Sequence, residues 1–200
     1  MTEFHDFGDG PVAAHRHHNG GGWVADTATV ADTAYVGPYA LVFGDALVLE
    51  NAQVYGKAQV LNNAQVYGHA RVYGNAQVYG NAQVYEYAQV YDNAKVYGKA
   101  LVYNFVHVYG DAQVYDNAKV YTCARVYEYA VVYGKAQVYG NAQVCGHARV
   151  YEHAQVCGDA IVYGKAQVFE NVLVSGNAQV FETTQVFGKE KVSGDTMIDD

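Results

Sequence analysis

The chain has little of several residue types, and each shortage limits what it can be. Its 200 residues include 2 prolines, 1 tryptophan and 3 cysteines, and 16% of them are charged. The cysteines, Cys123, Cys145 and Cys157, are odd in number, and their spacing matches no metal-binding or redox motif. Free thiols are typical of a reducing compartment, so we expect a cytoplasmic protein.

Long apolar runs and basic segments are also missing. No apolar stretch approaches the ~18 residues that a membrane-spanning helix needs, so we expect no membrane contact. The start, MTEFHDFGDG, has no basic segment followed by an apolar run, so we expect no signal peptide. The formal net charge of −8 gives no basic surface for a nucleic-acid backbone, which disfavours nucleic acid as a partner. We interpret the acidity as a source of solubility.

A six-residue repeat fills most of the chain. Valine occupies every sixth position from Val24 to Val192, and Ile198 continues the series. Alanine lies two positions before nearly every one of these valines, and glutamine usually separates the two. Tyrosine follows the valine sixteen times, and turn-forming pairs such as Gly-Asn or Asp-Asn come next. The repeat therefore reads as a short strand, Ala-Gln-Val-Tyr, followed by a turn.

The period excludes a helix and a flat meander. Six residues at ~100° each would scatter the valines over three faces of a helix, with no apolar stripe. In a meander of hairpins, tyrosine would pair with the next alanine and valine with the next glutamine, so that neither face would be apolar. If the chain always turns the same way, every alanine and valine points inward. The period thus predicts an all-β, triangular β-solenoid with about 18 residues per coil and about ten coils.

The unit V-x-G-x-A-x resembles the hexapeptide repeat of left-handed parallel β-helices, and the left hand is expected from that resemblance alone. The chain is more similar still to a group of uncharacterised bacterial and phage proteins with long runs of N-A-x-V-Y-G units after a segment that contains Gly-Gly-Trp. Here HDFGDG (5–10) and GGWVAD (21–26) correspond to that segment. We expect an N-terminal cap over residues 1–22, the repeat over 23–198 and a charged end at 199–200. Trp23 is expected to pack over the open end of the first coil.

Residues 18 apart should stack in neighbouring coils, which predicts three aromatic ladders on the outer surface. Their tyrosines are candidates for partner contacts, although a purely structural role, holding the coils in register, is the alternative. Stacked glutamines, such as Gln59 with Gln77 and Gln65 with Gln83, are expected to share hydrogen bonds between the ladders. The ladder tyrosines are Tyr55, Tyr73, Tyr91, Tyr109 and Tyr127 in the first, Tyr79, Tyr97, Tyr115, Tyr133 and Tyr151 in the second, and Tyr67, Tyr85, Tyr103, Tyr121 and Tyr139 in the third.

The resemblance to hexapeptide-repeat proteins implies acyltransferase activity as an alternative function. In that family the activity depends on a histidine base at a cleft between subunits. No insertion breaks the register here to form such a cleft, and His69, His107, His147 and His153 lie at different positions of the 18-residue coil. The HRHH segment (15–18) lacks an acidic or cysteine partner at ligand spacing, so we interpret it as a solvated loop. We expect no catalytic residue, metal or cofactor.

The favoured hypothesis is a non-catalytic scaffold that contacts a protein partner or itself through its aromatic edges or its ends. Thr184, Glu190 and Thr196 replace alanine in the last units and should loosen or close the last coil. An acyltransferase-like protein is the first alternative. The second alternative is a phage or bacterial inhibitor that mimics nucleic acid. Such mimicry needs a strip of acidic residues only, whereas acidic and basic residues alternate along one edge here.

Overall fold

The computed structural model describes residues 3–199 and contains only strands, turns and bends in that range. After two longer strands at the N-terminus, short strands recur every six residues. In chain order the strands are β1 Glu3–Asp6, β2 Pro11–Arg16, β3 Trp23–Ala25, β4 Thr29–Val30, β5 Tyr35–Val36, β6 Leu41–Val42, β7 Leu47–Val48, β8 Gln53–Val54, β9 Gln59–Val60, β10 Gln65–Val66, β11 Arg71–Val72, β12 Gln77–Val78, β13 Gln83–Val84, β14 Gln89–Val90, β15 Lys95–Val96, β16 Leu101–Val102, β17 His107–Val108, β18 Gln113–Val114, β19 Lys119–Val120, β20 Arg125–Val126, β21 Val131–Val132, β22 Gln137–Val138, β23 Gln143–Val144, β24 Arg149–Val150, β25 Gln155–Val156, β26 Ile161–Val162, β27 Gln167–Val168, β28 Leu173–Val174, β29 Gln179–Val180, β30 Gln185–Val186, β31 Lys191–Val192 and β32 Met197–Ile198.

The strands form three sheets, which are the three sides of the solenoid. Sheet A contains β1, β2, β3 and then every third strand to β30, sheet B runs from β4 to β31, and sheet C from β5 to β32. Neighbours from β3 onward pair in parallel, each residue with the one 18 positions later, as in Gln65 with Gln83 and Val66 with Val84. The thirty strands β3–β32 make ten coils of three strands each. The predicted parallel β-solenoid is confirmed.

The core is a narrow channel of alanine and valine side chains between the three sheets. From Ala34 to Val168 every repeat alanine and valine is fully buried, including Val106, which stands in place of alanine. Alternation along each strand directs these side chains inward and the intervening residue outward. Only small side chains fit in this channel, because each strand that forms a side of the triangle is two residues long. Each buried valine contributes about 1.5–3 kcal/mol of gross hydrophobic free energy.

Each corner of the triangle is a tight turn with one left-handed residue. The residue after the ladder position has a positive φ in every unit from Gly44 (φ 69°) to Gly194 (φ 73°). The amide three positions after the ladder residue closes the turn, as where Ala94 donates to the Tyr91 carbonyl at 3.3 Å. Glycine holds most of these positions because it adopts positive φ without strain. We name the corners AB, BC and CA after the sheets that they join.

Strands β1 and β2 form an antiparallel hairpin that extends sheet A beyond the first coil. Ala14, His15 and Arg16 of β2 pair antiparallel with Ala25, Val24 and Trp23 of β3. The hairpin therefore covers the edge that sheet A would otherwise expose, which is a common way to block unwanted strand pairing.

The segment that follows the hairpin covers sheet C and the end of the channel. His17 is 4% exposed, and its Nε2 lies 3.1 Å from the Ala34 carbonyl, which also accepts from Asn19 Nδ2 at 2.9 Å. The Gly22 amide donates to the Val36 carbonyl at 2.9 Å. Trp23, predicted to cover the channel, instead lies on the outer side of sheet A, because it directly precedes the inward-facing Val24 and pairs with Leu41.

The last coil keeps the register but not the composition of the core. Strands β30, β31 and β32 pair in line with the coil before them. Thr184 is 3% exposed, and its hydroxyl has no hydrogen-bond partner within the described chain. Glu190 and Thr196, at the two equivalent inward positions, are exposed. The last coil thus has polar residues at its inward positions, and two of them are exposed. Its strands nevertheless remain paired with those of the coil before it.

Candidate interaction surface

The three predicted tyrosine ladders are present on the outer surface, one along each sheet. In the five-tyrosine run of sheet C, from Tyr55 to Tyr127, successive ring centroids are 4.9–5.0 Å apart and the ring planes differ by 3° or less. The sheet A ladder continues from Tyr79 through Tyr151 to Phe169 and Phe187. The sheet B ladder runs from Tyr67 to Tyr139. The spacing is the distance between parallel strands, so each ring covers the faces of its neighbours.

Seven of the fifteen ladder hydroxyls also donate to a glutamine of their own sheet. Tyr97 donates to Gln113 Oε1 at 3.2 Å, sixteen residues later, and Tyr73 donates to Gln89 in the same way at 3.2 Å. Five further tyrosines repeat this bond, namely Tyr67, Tyr121, Tyr127, Tyr139 and Tyr151. The glutamines therefore serve mainly as acceptors for tyrosine. Gln77 does donate to Gln59 at 3.1 Å, as predicted, whereas Gln83 accepts from Tyr67.

The ladder environment disfavours the phenolate form of tyrosine. Burial, and then the neighbouring tyrosines of the ladder, raise the pKa of Tyr85, Tyr91 and Tyr97 to about 12. At Tyr139 the side-chain contact with Cys157, followed by burial, raises the pKa to about 12. The ladder tyrosines are thus half-buried phenols whose burial favours the uncharged form.

Two cysteines interrupt the ladders. Cys145 stands between Tyr127 and Tyr163 in sheet C, and beyond it the stack resumes with Tyr163 on Phe181 at 5.1 Å. Cys157 follows Tyr139 in sheet B, where Ser175 comes next. Both thiols are half-buried, and burial is the main reason that the pKa of Cys145 is raised.

Four exposed aromatic side chains lie at the corners, namely Tyr39, Tyr87, Phe105 and Tyr129, whereas Phe4 lies on β1 and Phe187 at the end of the sheet A ladder. The sequence reasoning missed the corner rings. At the BC corner His69, Tyr87 and Phe105 stack with centroids 5.1 Å apart, and Tyr87 is 48% and Phe105 59% exposed. At the CA corner Tyr129 is 55% exposed and stacks on His147 at 4.8 Å. The 18-residue offset that predicted the ladders also joins His69 to Tyr87 and Tyr129 to His147, and it was a sufficient signal to find both columns.

Trp23 is the centre of a small cluster beside the hairpin. The His5 ring stacks on it at 4.5 Å, and the Arg16 guanidinium lies 4.2 Å from its ring centroid. Arg16 Nη1 also donates to the Gly21 carbonyl at 2.8 Å. Trp23 thus fastens the hairpin to the first coil through stacking and a cation–π contact.

The remaining histidines occupy shallow polar surfaces. His153 lies with Lys119 and Lys135 in an open depression on sheet B, and His147 lies with Arg149 and Lys165 on sheet A. The pKa of His107 is lowered by burial and by Arg125. In residues 3–199 no group of three or more histidine, cysteine, aspartate or glutamate side chains could hold a metal ion. No helix in that range has the length and apolar character needed to cross a bilayer.

Comparison with known families points to the same architecture. Three segments of the chain, residues 64–80, 88–104 and 154–168, match the family described as the YdcK beta solenoid repeat. Among curated proteins the comparison finds no match. The chain is therefore similar to a known β-solenoid repeat over parts of its length.

Proposed function

We propose that the protein is a non-catalytic scaffold, a β-solenoid rod whose exposed corner columns contact a protein partner or further copies of itself. The observation that carries this proposal is the difference in exposure between the corner rings and the ladder rings. Tyr87, Phe105 and Tyr129 are each about half exposed, whereas the fifteen ladder tyrosines are all less exposed, and seven of them donate their hydroxyls to glutamine. Exposed aromatic strips on soluble proteins commonly mark interaction surfaces.

The BC column is the stronger candidate because its aromatic strip spans three coils. His69, Tyr87 and Phe105 follow one another at 5.1 Å, so the strip is pre-ordered and loses little side-chain entropy on binding. The next position in the column, Cys123, is exposed as well. A partner that lies along this corner would meet a continuous row of three rings.

Association through the ends is a weaker route for the first coil. The hairpin pairs with sheet A and residues 17–22 cover sheet C, so that β4 of sheet B is the one strand of the first coil with an unpaired edge within the described residues. We expect a second molecule to stack on this end only if the hairpin is displaced.

The corner proposal is tested with a double variant, Tyr87→Ser with Phe105→Ser, examined by analytical ultracentrifugation over a range of concentrations. We expect the wild-type chain to associate reversibly and the variant to remain monomeric. The matched control replaces Asn93 and Asp111, exposed residues in consecutive coils at the CA corner, by serine and should associate as the wild type does. A double variant that associates like the wild type would refute the BC column as the contact.

The non-catalytic part has its own test. Purified protein is incubated with acetyl-coenzyme A and a panel of amine and hydroxyl acceptors, and release of free coenzyme A is measured. We expect no turnover above the rate without protein. Turnover that is lost when His69, His107, His147 or His153 is replaced would favour the acyltransferase alternative.

Three finer features of this proposal rest on the sequence. We propose that the solenoid is left-handed and of the hexapeptide-repeat type, because its unit resembles that family. We also place the protein in the cytoplasm, which is supported by three cysteines that remain free thiols.

A further inference from the structure

A small apolar cavity lies where the hairpin meets the first two coils at the AB corner. Its apolar walls include Phe7 and Val12 of the hairpin and Phe43 of the second coil, and its volume is about 260 Å3. This is smaller than the usual range for drug-sized ligands, so the cavity suits a molecule with one ring and a short chain.

The cavity is ordered by contacts that do not depend on a ligand. Asp6 Oδ1 accepts from the amides of Gly8 at 2.8 Å and Gly10 at 3.0 Å, which fixes the turn of the hairpin. The Phe7 ring stacks on Phe43 at 4.9 Å and extends the sheet A column by one step. A site formed in advance has less ordering entropy to lose when a ligand binds.

The charges around the cavity have one sign. Asp9 and Asp26 both line it, and no lysine or arginine of residues 3–199 does. His15 Nδ1 lies 2.9 Å from Asp26 Oδ1, whereas Asp9 has no hydrogen bond or ion pair within the described chain. One free carboxylate beside two aromatic rings is an environment that stabilises an organic cation.

The neighbouring depression on the other side of the hairpin shows the opposite chemistry. His5, Arg16 and Lys57 surround Trp23 and Tyr39 there. The hairpin therefore separates a basic surface from an acidic one, and the acidic one is the more apolar of the two.

We propose that the cavity between Phe7, Val12 and Phe43 binds a small free amine, with its apolar body between the hairpin and the corner and its ammonium group at Asp9. The ammonium would form a charge-assisted hydrogen bond with the Asp9 carboxylate while the rings contact the apolar body. This inference is independent of the scaffold proposal, because the cavity is remote from the BC column.

Three probes of similar shape and different charge test the proposal, namely phenethylamine, phenethyl alcohol and hydrocinnamate. Binding to the full chain is followed by NMR through the amide shifts of residues 6–10, 12–13 and 25–27. We expect the amine to bind about ten-fold more tightly than the alcohol, which corresponds to about 1.4 kcal/mol. Hydrocinnamate should show no binding.

Two charge variants locate the effect. Asp9→Asn should abolish the preference for the amine over the alcohol, because it removes the carboxylate that the ammonium group would contact. Asp9 is exposed, so we expect this replacement to leave the fold intact. Asp32→Asn makes the same charge change at the BC corner of the first coil and should leave the preference unchanged. Equal binding of amine and alcohol, no binding of the amine, or an equal effect of the two variants would each overturn the proposal.

Discussion

The side ladders and the corner columns are both rows of rings one coil apart, yet they differ in what surrounds each ring. A ladder ring such as Tyr97 has both faces covered and its hydroxyl bonded to Gln113. A corner ring such as Tyr87 also has both faces covered, but it projects beyond the sheet with its edge in solvent. The comparison teaches that stacking alone does not mark a binding surface. The exposure of the ring is what distinguishes the corner tyrosines from the ladder tyrosines.

The largest effect that we expect is a loss of folding stability at alkaline pH, where the ladder tyrosines ionise. Folding raises the pKa of Tyr85, Tyr91 and Tyr97 to about 12, above the unfolded value of about 10. The folded state thus favours the uncharged phenol. This stabilisation is fully present below pH ~10 and is lost as the pH rises through about 12. The midpoint of urea unfolding, followed by circular dichroism, should fall steeply across that range.

A triple variant provides the control for the alkaline effect. Replacing Tyr85, Tyr91 and Tyr97 by phenylalanine keeps the stacked rings and removes three titrating groups. The alkaline loss of stability should become smaller. An identical loss in the variant and the wild type would contradict the assignment to ladder tyrosines.

Removing one ring should separate the two kinds of column. Tyr97→Ser deletes a half-buried ring with two stacking partners and a hydrogen bond, and we expect it to lower the free energy of unfolding by about 2–4 kcal/mol. Tyr87→Ser deletes a more exposed ring and should cost about 1 kcal/mol. Chemical denaturation of both variants measures the difference, and equal costs would mean that the corner column is as structural as the ladder.

Completing a ladder should stabilise the protein. Cys145→Tyr places a ring between Tyr127 and Tyr163 and adds two stacking contacts, worth about 1–3 kcal/mol together. Cys157→Tyr has one aromatic neighbour, Tyr139, because Ser175 follows it, so it should gain about half as much. Thermal denaturation of the two variants against the wild type tests the ratio. A larger gain at position 157 would argue against stacking as the cause.

The hydrogen bond between tyrosine and glutamine should have the smallest effect. Gln113→Leu removes the acceptor of the Tyr97 hydroxyl and should cost about 0.5–1 kcal/mol, since the hydroxyl can turn to water instead. Gln65→Leu is the matched control, because the residue sixteen positions earlier is Leu49 and Gln65 accepts no tyrosine hydroxyl. If the two variants lose the same stability, the bond contributes nothing measurable.

The sequence was sufficient to predict the solenoid because the channel imposes one requirement on every unit. Only small side chains fit at Ala112 or Val114, and a two-residue side repeats that requirement every six residues. The ladders followed from the same register. The left hand stays a prediction, since a period contains no information about chirality.

The contacts outside the repeat could not be predicted in the same way. Residues 3–16 have no six-residue period, and the pairing of Ala14 with Ala25 depends on where the chain reverses. The bond from Tyr97 to Gln113 depends on the rotamer of the ring, which the sequence pattern does not fix. The corner column at His69 does follow from the register, since His69, Tyr87 and Phe105 are spaced by one coil of 18 residues.

Because every strand from β4 to β29 pairs with the strand 18 residues later, the number of coils sets the length of the rod. Deletion of eighteen internal residues would shorten the rod by one coil and leave each row of rings on its own side. Excision of six would keep the channel filled but rotate every later row onto the adjacent side. The length of the molecule and the direction in which its rows face are therefore two separately adjustable dimensions.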